Sequence, residues 1–139
     1  MHRSLTTAYA KAARDFFVAA SHLLNYRSES PLPTLFLLAR SIELSLKTLL
    51  LESGLSAIEL SRKPFRHDLV ATFNEVLKRN LLADNVVDQN EVGALDLLSK
   101  EYSATRLGYA DFERPYYIPR IDLAESVANK LLSACTALE

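Results

Sequence analysis

The sequence predicts an all-α fold, an antiparallel up-and-down bundle of four to five helices forming a single domain over residues 1–139. Only three glycines occur in the 139 residues, whereas leucine and alanine are abundant. No segment alternates β-branched and polar residues with the period of two that marks a strand. With 49% apolar residues the chain can build a core, and its length suits one domain.

The first helix is predicted from about Leu5 to Tyr26. An apolar stripe repeats there at helical spacing and consists of Leu5, Ala8, Ala12, Phe16, Ala19, Ala20 and Leu23. The segment "RSESPLP" ends this helix, because two prolines within three residues cannot continue it. Pro33 suits the first turn of the following helix.

The second helix, about Pro33 to Ser53, is predicted to lie at the centre of the bundle. Placed at 100° steps, its leucines and Ile42 fall on two nearly opposite arcs, so the helix packs on two sides. Two polar stripes separate the arcs. One contains Ser41, Ser45, Thr48 and Glu52; the other contains Arg40, Glu43 and Lys47. Gly54 is expected at the C-cap.

The remaining helices are marked by capping signals. Ser56 with Glu59 predicts a short helix, and Asp88 with Glu91 repeats that pattern before another helix. The third helix should begin near His67 or Asp68, of which Asp68 suits the N-cap. The segment "LLADNVVDQN" is predicted as a loop. The expected inward residues are Leu69, Val70, Phe73, Val76 and Leu77, then Leu95, Leu98 and Tyr102, then Leu123, Val127, Leu131, Ala134 and Leu138. The expected total is four long helices and a short one.

Composition excludes several functional classes. The net charge of −1 argues against a strong general nucleic-acid binder, although it allows a local basic patch. The single cysteine, Cys135, excludes an internal disulfide and a cysteine-rich metal site, and is expected in the core. No histidine has a paired ligand at helical spacing, so no metal site and no cofactor is predicted. Without a visible signal peptide or membrane span, a cytoplasmic location is expected.

The stripe of Arg40, Glu43 and Lys47 is the first candidate for chemistry. Glu43 lies four residues before Lys47, and this order, with the glutamate first, favours an ion pair on a solvated helix face. Alternatively, the stripe contacts other polar groups of the chain, because a central helix has little exposed surface and partly buried charges need partners. The candidate partners are His67, Asp68 and Arg106.

His67 has two interpretations. It either starts a helix and bonds to a neighbour, or it acts with Arg62, which precedes it with four residues between them. In a metal-independent ribonuclease, a histidine would remove a proton from a ribose hydroxyl while an arginine stabilises the charged phosphate. The segment "DFERPYYIPR" adds aromatics beside arginines, which either stack bases or cover the end of the bundle.

Three segments together resemble the HEPN domain (higher eukaryotes and prokaryotes nucleotide-binding) between about Phe16 and Leu132. They are "RSIELSLKTLLLESG", "RHDL" and "LSKEYSATRLGYADF". The matching positions are Glu43 and Lys47, then His67, Asp68 and Leu69, then Tyr102, Arg106 and Tyr109. Leu107 and Gly108 interrupt the arginine–tyrosine junction of the last motif.

The resemblance implies an antiparallel helical bundle that forms a homodimer and accompanies a nucleotidyltransferase or acts as a ribonuclease toxin. The ribonuclease branch carries an arginine–histidine motif at a late helix, whereas here no histidine lies between Arg106 and Arg120. We therefore favour a non-catalytic HEPN-like module that binds a nucleotide, RNA or a nucleotidyltransferase-type partner. The alternatives are a ribonuclease toxin using His67 and Arg62, and a ligand-free interaction module. The predicted ligand-binding residues are Arg40, Glu43, Lys47, His67, Asp68 and Arg106.

Overall fold

The computed structural model describes residues 2–26, 30–108 and 112–136, and every regular element in these ranges is a helix. The helices are α1 (His2–Leu24), α2 (Leu32–Glu52), α3 (Ala57–Leu60), α4 (Leu69–Lys78), α5 (Gln89–Ser103) and α6 (Ile121–Thr136). The predicted all-α class is confirmed. The helix count differs, because five helices have ten residues or more and only α3 is short.

Helix α2 is the central element, as predicted. Helices α1, α4, α5 and α6 all pack against it. From Leu38 to Leu51 every residue is buried except Arg40, which is partly exposed. Burial therefore covers the whole circumference of α2 and includes both polar stripes, so the charged groups of the second stripe must find partners inside the bundle.

Helix α1 packs through a face that shares only Ala20 with the apolar stripe found in the sequence. Its buried residues are Thr6, Ala10, Ala13 and Ala20, whereas Leu5 is 39% exposed. Small side chains on this face let the two backbones approach, and the hydroxyl of Ser41 donates to the carbonyl of Ala13 at 2.8 Å. The helix is apolar over much of its circumference, so periodicity alone does not identify the packed face.

The capping signals are confirmed. Ser56 and Glu59 form both hydrogen bonds of a capping box before α3, and Asp88 and Glu91 do so before α5. Gly54 follows α2 with a φ of +115°, which glycine adopts without strain. These helix ends are set by interactions within a few residues, which is why a local pattern was sufficient to predict them.

Most predicted core positions of the later helices are buried. These are Leu69, Phe73, Val76, Leu95, Leu98, Tyr102, Val127 and Leu131. Val70, Leu123 and Ala134 are only partly buried, and Leu138 lies outside the described residues. The prediction for Leu77 is wrong, since this side chain is 45% exposed near the end of α4. Cys135 is buried, as expected, and its thiol donates to the carbonyl of Ser45.

A buried carboxylate connects α5 to α6. Glu91, which also completes the capping box, accepts from Lys130 Nζ at 2.7 Å and from the hydroxyl of Ser126 at 2.5 Å. Burial acts to raise the pKa of Glu91. The hydrogen bond from the backbone amide of Asp88 and those from the side chains of Lys130 and Ser126 outweigh this effect and lower the pKa to about 2. No described helix is long and apolar enough to cross a membrane.

Candidate anion-binding site

Glu43 is the centre of a polar cluster inside the bundle. Its side chain is only 2% exposed, and its two oxygens accept hydrogen bonds from different groups. Oε2 accepts from Lys47 Nζ at 2.6 Å. Oε1 accepts from Arg40 Nη1 at 3.1 Å and from the hydroxyl of Tyr102, and it lies 3.2 Å from His67 Nδ1. The predicted proximity of Glu43 to Lys47 and His67 is confirmed.

Three parts of the chain supply this cluster. Helical spacing places Arg40, Glu43 and Lys47 on one side of α2, and α5 contributes Tyr102. The turn before α4 contributes His67. Lys47 Nζ also donates to the backbone carbonyl of Arg66 at 2.7 Å, which connects this turn to α2. Because Lys47 bonds both to Glu43 and to the turn, it fixes the position of the residue next to His67.

The cluster keeps Glu43 ionised despite its burial. Burial acts to raise the pKa of Glu43, but the charge of Lys47 and the hydrogen bonds from Lys47 and Tyr102 outweigh it, so the pKa is lowered. Burial together with the charge of Glu43 raises the pKa of the Tyr102 hydroxyl, which therefore stays protonated and donates. For Arg40, burial is outweighed by Glu43 and Tyr102, and the pKa is raised.

A basic groove opens on one side of the cluster. It has a volume of about 270 Å³ and is lined by Tyr9, Arg40, Glu43, Leu44, Lys47, Ser61, Arg66 and His67. Two arginines and one lysine in this lining outnumber the single acid, Glu43, so the groove has an excess of basic side chains. A concave surface of this kind concentrates anions.

A second recess, an aromatic cavity of about 230 Å³, also borders the cluster. It is lined by Phe36, Arg40, His67, Tyr102, Thr105 and Gly108. The rings of Phe36 and Tyr102 are 6.1 Å apart and inclined at 56°, and those of His67 and Tyr102 are 5.8 Å apart and nearly perpendicular. Arg40 and His67 line both recesses, so these two side chains stand at the boundary between them.

Two of the predicted ligand-binding residues, Asp68 and Arg106, have other roles. Asp68 is the N-cap of α4 and accepts from the amide of Ala71 at 3.0 Å, which confirms its predicted capping role. It does not line either recess. Arg62 is exposed and also lies outside both linings. The fold therefore does not bring Arg62 and His67 together in one recess.

Arg106 holds the connection between α5 and α6. Its guanidinium bonds to Glu101 at 2.6 Å and donates to the carbonyls of Arg114 and Pro115. It also lies 4.1 Å from the ring centre of Tyr116. Arg106 was a candidate partner for the charged stripe of α2, but the carboxylate that it binds is that of Glu101, five residues before it, instead of Glu43. The predicted motif residue Tyr109 lies outside the described residues.

Sequence patterns left several residues of the two recesses unassigned, among them Phe36, Tyr9 and Arg66. Phe36 lies four residues before Arg40 on α2, so helical spacing was a signal that could have placed it beside the polar stripe. Tyr9 comes from α1, whose packed face was not the predicted one. Arg66 lies in the turn before α4, where its φ is +38° and its carbonyl accepts from Lys47, and no spacing pattern predicts this arrangement.

No group of three or more histidine, cysteine or acidic side chains converges among the residues described, so no metal centre is identified there. Comparison with family models, with curated protein sequences and with solved structures finds no match to this chain.

Proposed function

We propose that this protein is a non-catalytic, HEPN-like helical module that binds a phosphate-bearing ligand, either a nucleotide or RNA. The HEPN-like identity rests on the three sequence segments described above. The same proposal includes an antiparallel bundle of one domain, a homodimer, a cytoplasmic location and a nucleotidyltransferase-type partner. The resemblance implies these properties or the sequence favours them.

One observation supports the binding site above all others. Arg40 and His67 are both held by Oε1 of the buried Glu43, and both line the basic groove and the aromatic cavity. An arginine fixed in this way loses less freedom on binding, which favours affinity for an anion. Lys47 and Arg66 add positive charge in the groove. We assign the phosphate of the ligand to this groove and Glu43 to the role of anchor.

Calorimetric titration tests the assignment with two matched variants of the same turn. Arg66 lines the groove whereas Arg62 is exposed outside it. We expect nucleoside monophosphates or a short single-stranded RNA to bind wild-type protein, with affinity falling about tenfold in Arg66→Ala because a charge-assisted contact is lost. Arg62→Ala should change it much less. Equal losses in the two variants, or no binding by wild type at millimolar ligand, would contradict the proposal.

A ribonuclease is the second candidate, and one observation favours it. Glu43 contacts Nδ1 of His67, whose side chain is 53% exposed, so Nε2 is the ring nitrogen left to face a substrate. A carboxylate that orients an imidazole is a common arrangement for a general base. Here Arg40, which shares the same carboxylate, would replace Arg62 as the residue that stabilises charge on the phosphate.

Incubation of single-stranded RNA with purified protein in chelator separates the two candidates. The binding module leaves the RNA intact. Cleavage to cyclic phosphate ends that is abolished by His67→Ala and by Arg40→Ala, but not by Arg62→Ala, would establish the ribonuclease instead. Absence of both binding and cleavage would favour the ligand-free interaction module.

A further inference from the structure

We propose that the aromatic cavity between α2 and α5 is a subsite for a single nucleobase, attached to the phosphate that lies in the basic groove. This inference rests on the proposed function and narrows it: the recognised unit is one nucleotide, either free or at an accessible position of a single strand. A phosphopeptide or a sugar phosphate would fill the groove and leave the cavity empty.

The walls of the cavity suit a flat ring. Phe36, Tyr102 and His67 form a continuous series of rings, with neighbouring centres 6.1 and 5.8 Å apart. Tyr102 is only 6% exposed and its hydroxyl is bonded to Glu43, so its ring is fixed before a ligand arrives. Aromatic side chains stack on bases of any sequence because every base has a π-face, and fixed rings do so at low entropic cost.

The size of the cavity limits its occupant. Its volume of about 230 Å³ is below the roughly 300–1,000 Å³ typical of pockets for whole drug-sized ligands. Polar groups lie where Arg40 and His67 border the groove and at Thr105, and the remaining lining consists of Phe36, Tyr102 and Gly108. Such a recess accepts the base of a nucleotide while its charged part remains outside.

Continuity with the groove indicates that base and phosphate belong to the same nucleotide. Arg40 and His67 line both recesses, so the two sites share these two side chains. The cation–π contact of Arg40 with Phe16, at 5.9 Å, and its bond to Glu43 hold it at this boundary. A base stacked beyond Arg40 therefore places its own phosphate within reach of the groove, and not the phosphate of a distant nucleotide in the same strand.

Gly108 offers a way to close the cavity without altering the groove. A Cβ at this position would lie 3.2 Å from Cε1 of Phe36, closer than most such contacts. Valine at position 108 would therefore push the Phe36 ring or occupy the space of the base. Ala104 is exposed, lies on the same connection and does not line the cavity, so Ala104→Val is the matched control.

The test compares uridine or adenosine 5′-monophosphate with ribose 5-phosphate, which has the same phosphate but no base. We expect the nucleotides to bind wild type at least about tenfold more tightly, within the roughly 5- to 150-fold that stacking one base contributes. Gly108→Val should remove this difference and leave the affinity for ribose 5-phosphate unchanged. Phe36→Leu should reduce the difference as well, whereas Ala104→Val should preserve it.

The outcomes distinguish this inference from the proposed function. If ribose 5-phosphate and the nucleotides bind equally to wild type, or if Gly108→Val keeps the difference, the base subsite is wrong and the anion groove stands. If neither ligand binds, the proposed function and the inference both fail. If the nucleoside without phosphate binds as well as the nucleotide, the cavity stands and the anion groove is wrong. Thermal unfolding of each variant verifies that it is folded.

Discussion

Glu43 and His67 are separated by 24 positions in the sequence, yet Nδ1 of His67 lies 3.2 Å from Oε1 of Glu43. The carboxylate is almost fully buried and the imidazole is half exposed, so the contact connects the interior of the bundle to its surface. The same oxygen accepts from Arg40, which also reaches the surface. The state of one buried carboxylate therefore determines how both side chains are presented to a ligand.

Removal of the Glu43 carboxylate should be strongly destabilising. Glu43→Ala leaves Lys47 buried without its anionic partner, and the loss of one member of a buried pair costs about 3–5 kcal/mol. Urea unfolding measures this loss. Glu52→Gln removes an exposed carboxylate from the same helix and should change the free energy of unfolding by less than about 0.5 kcal/mol.

A double-mutant cycle isolates the interaction between Glu43 and Lys47. We expect the loss in Glu43→Ala/Lys47→Met to be about 1–3 kcal/mol smaller than the sum of the two single losses, because the double variant buries no unpaired charge. Additive losses would contradict the 2.6 Å ion pair as a stabilising contact.

The His67 side chain should contribute little to stability. Because it is 53% exposed, its contact with Glu43 resembles a surface pair, and His67→Ala should cost less than about 1 kcal/mol. One interpretation of the sequence is that His67 starts a helix and bonds to a neighbour, and the exposure of the ring indicates that such a bond adds little stability. His22→Ala, at an exposed position of α1, is the control in chemical denaturation. A loss above about 2 kcal/mol would show that His67 is structural.

Stability should fall in acid, and Glu91 should account for part of the fall. The pKa of Glu91 is lowered from 4.5 in the unfolded reference to about 2 in the folded chain, so the unfolded chain binds more protons between these values. Its contribution is complete above about pH 5 and is lost as the pH falls towards 2. The lowered pKa of Glu43 acts in the same direction.

Glu91→Gln should therefore be less stable than wild type at neutral pH and show a shallower loss of unfolding free energy between pH 5 and 2. Urea unfolding at several pH values measures both effects. Asp96→Asn, which removes a half-exposed carboxylate from the same helix, is the matched control. A Glu91→Gln profile parallel to that of wild type would show that the bonds to Lys130 and Ser126 do not hold the carboxylate ionised.

Two serines of the same stripe on α2 should respond differently to alanine. The Ser41 hydroxyl donates to the carbonyl of Ala13, so Ser41→Ala should cost about 1 kcal/mol. The Ser45 hydroxyl is buried without a hydrogen-bond partner in the described structure, so Ser45→Ala should be neutral or stabilising. Thermal unfolding of the two variants provides the comparison, and an equal loss in both would contradict this assignment of the two hydroxyls.

Local chemistry explains which parts of the fold could be predicted from the sequence. The caps at Ser56, Asp68 and Asp88 depend on hydrogen bonds across three residues, and the central position of α2 follows from apolar residues on opposite faces. The packed face of α1 could not be predicted, because alanines occur around much of this helix and contact with Ser41 selects among them.

The candidate site was predictable only in part for a similar reason. Glu43, Lys47 and Arg40 share a helix face, so their proximity follows from spacing. The approach of His67 depends on a turn that Lys47 holds through the Arg66 carbonyl, which no spacing rule contains. The prediction for Arg106 failed because of a local contact. Glu101 lies only five residues away in the sequence and binds the guanidinium, in place of the more distant Glu43.

The central claim is that Glu43 holds Arg40 and His67 as an anion site, and an NMR titration of isotope-labelled protein with a nucleoside monophosphate tests it most directly. The account predicts that the largest shift changes occur at the amides of Arg66 and His67 and at the side chain of Arg40, and that Glu43→Gln, if folded, weakens binding about tenfold or more. Shift changes confined to the groove between α4 and α5 around Leu82 and Val92, or none at all, would contradict the account.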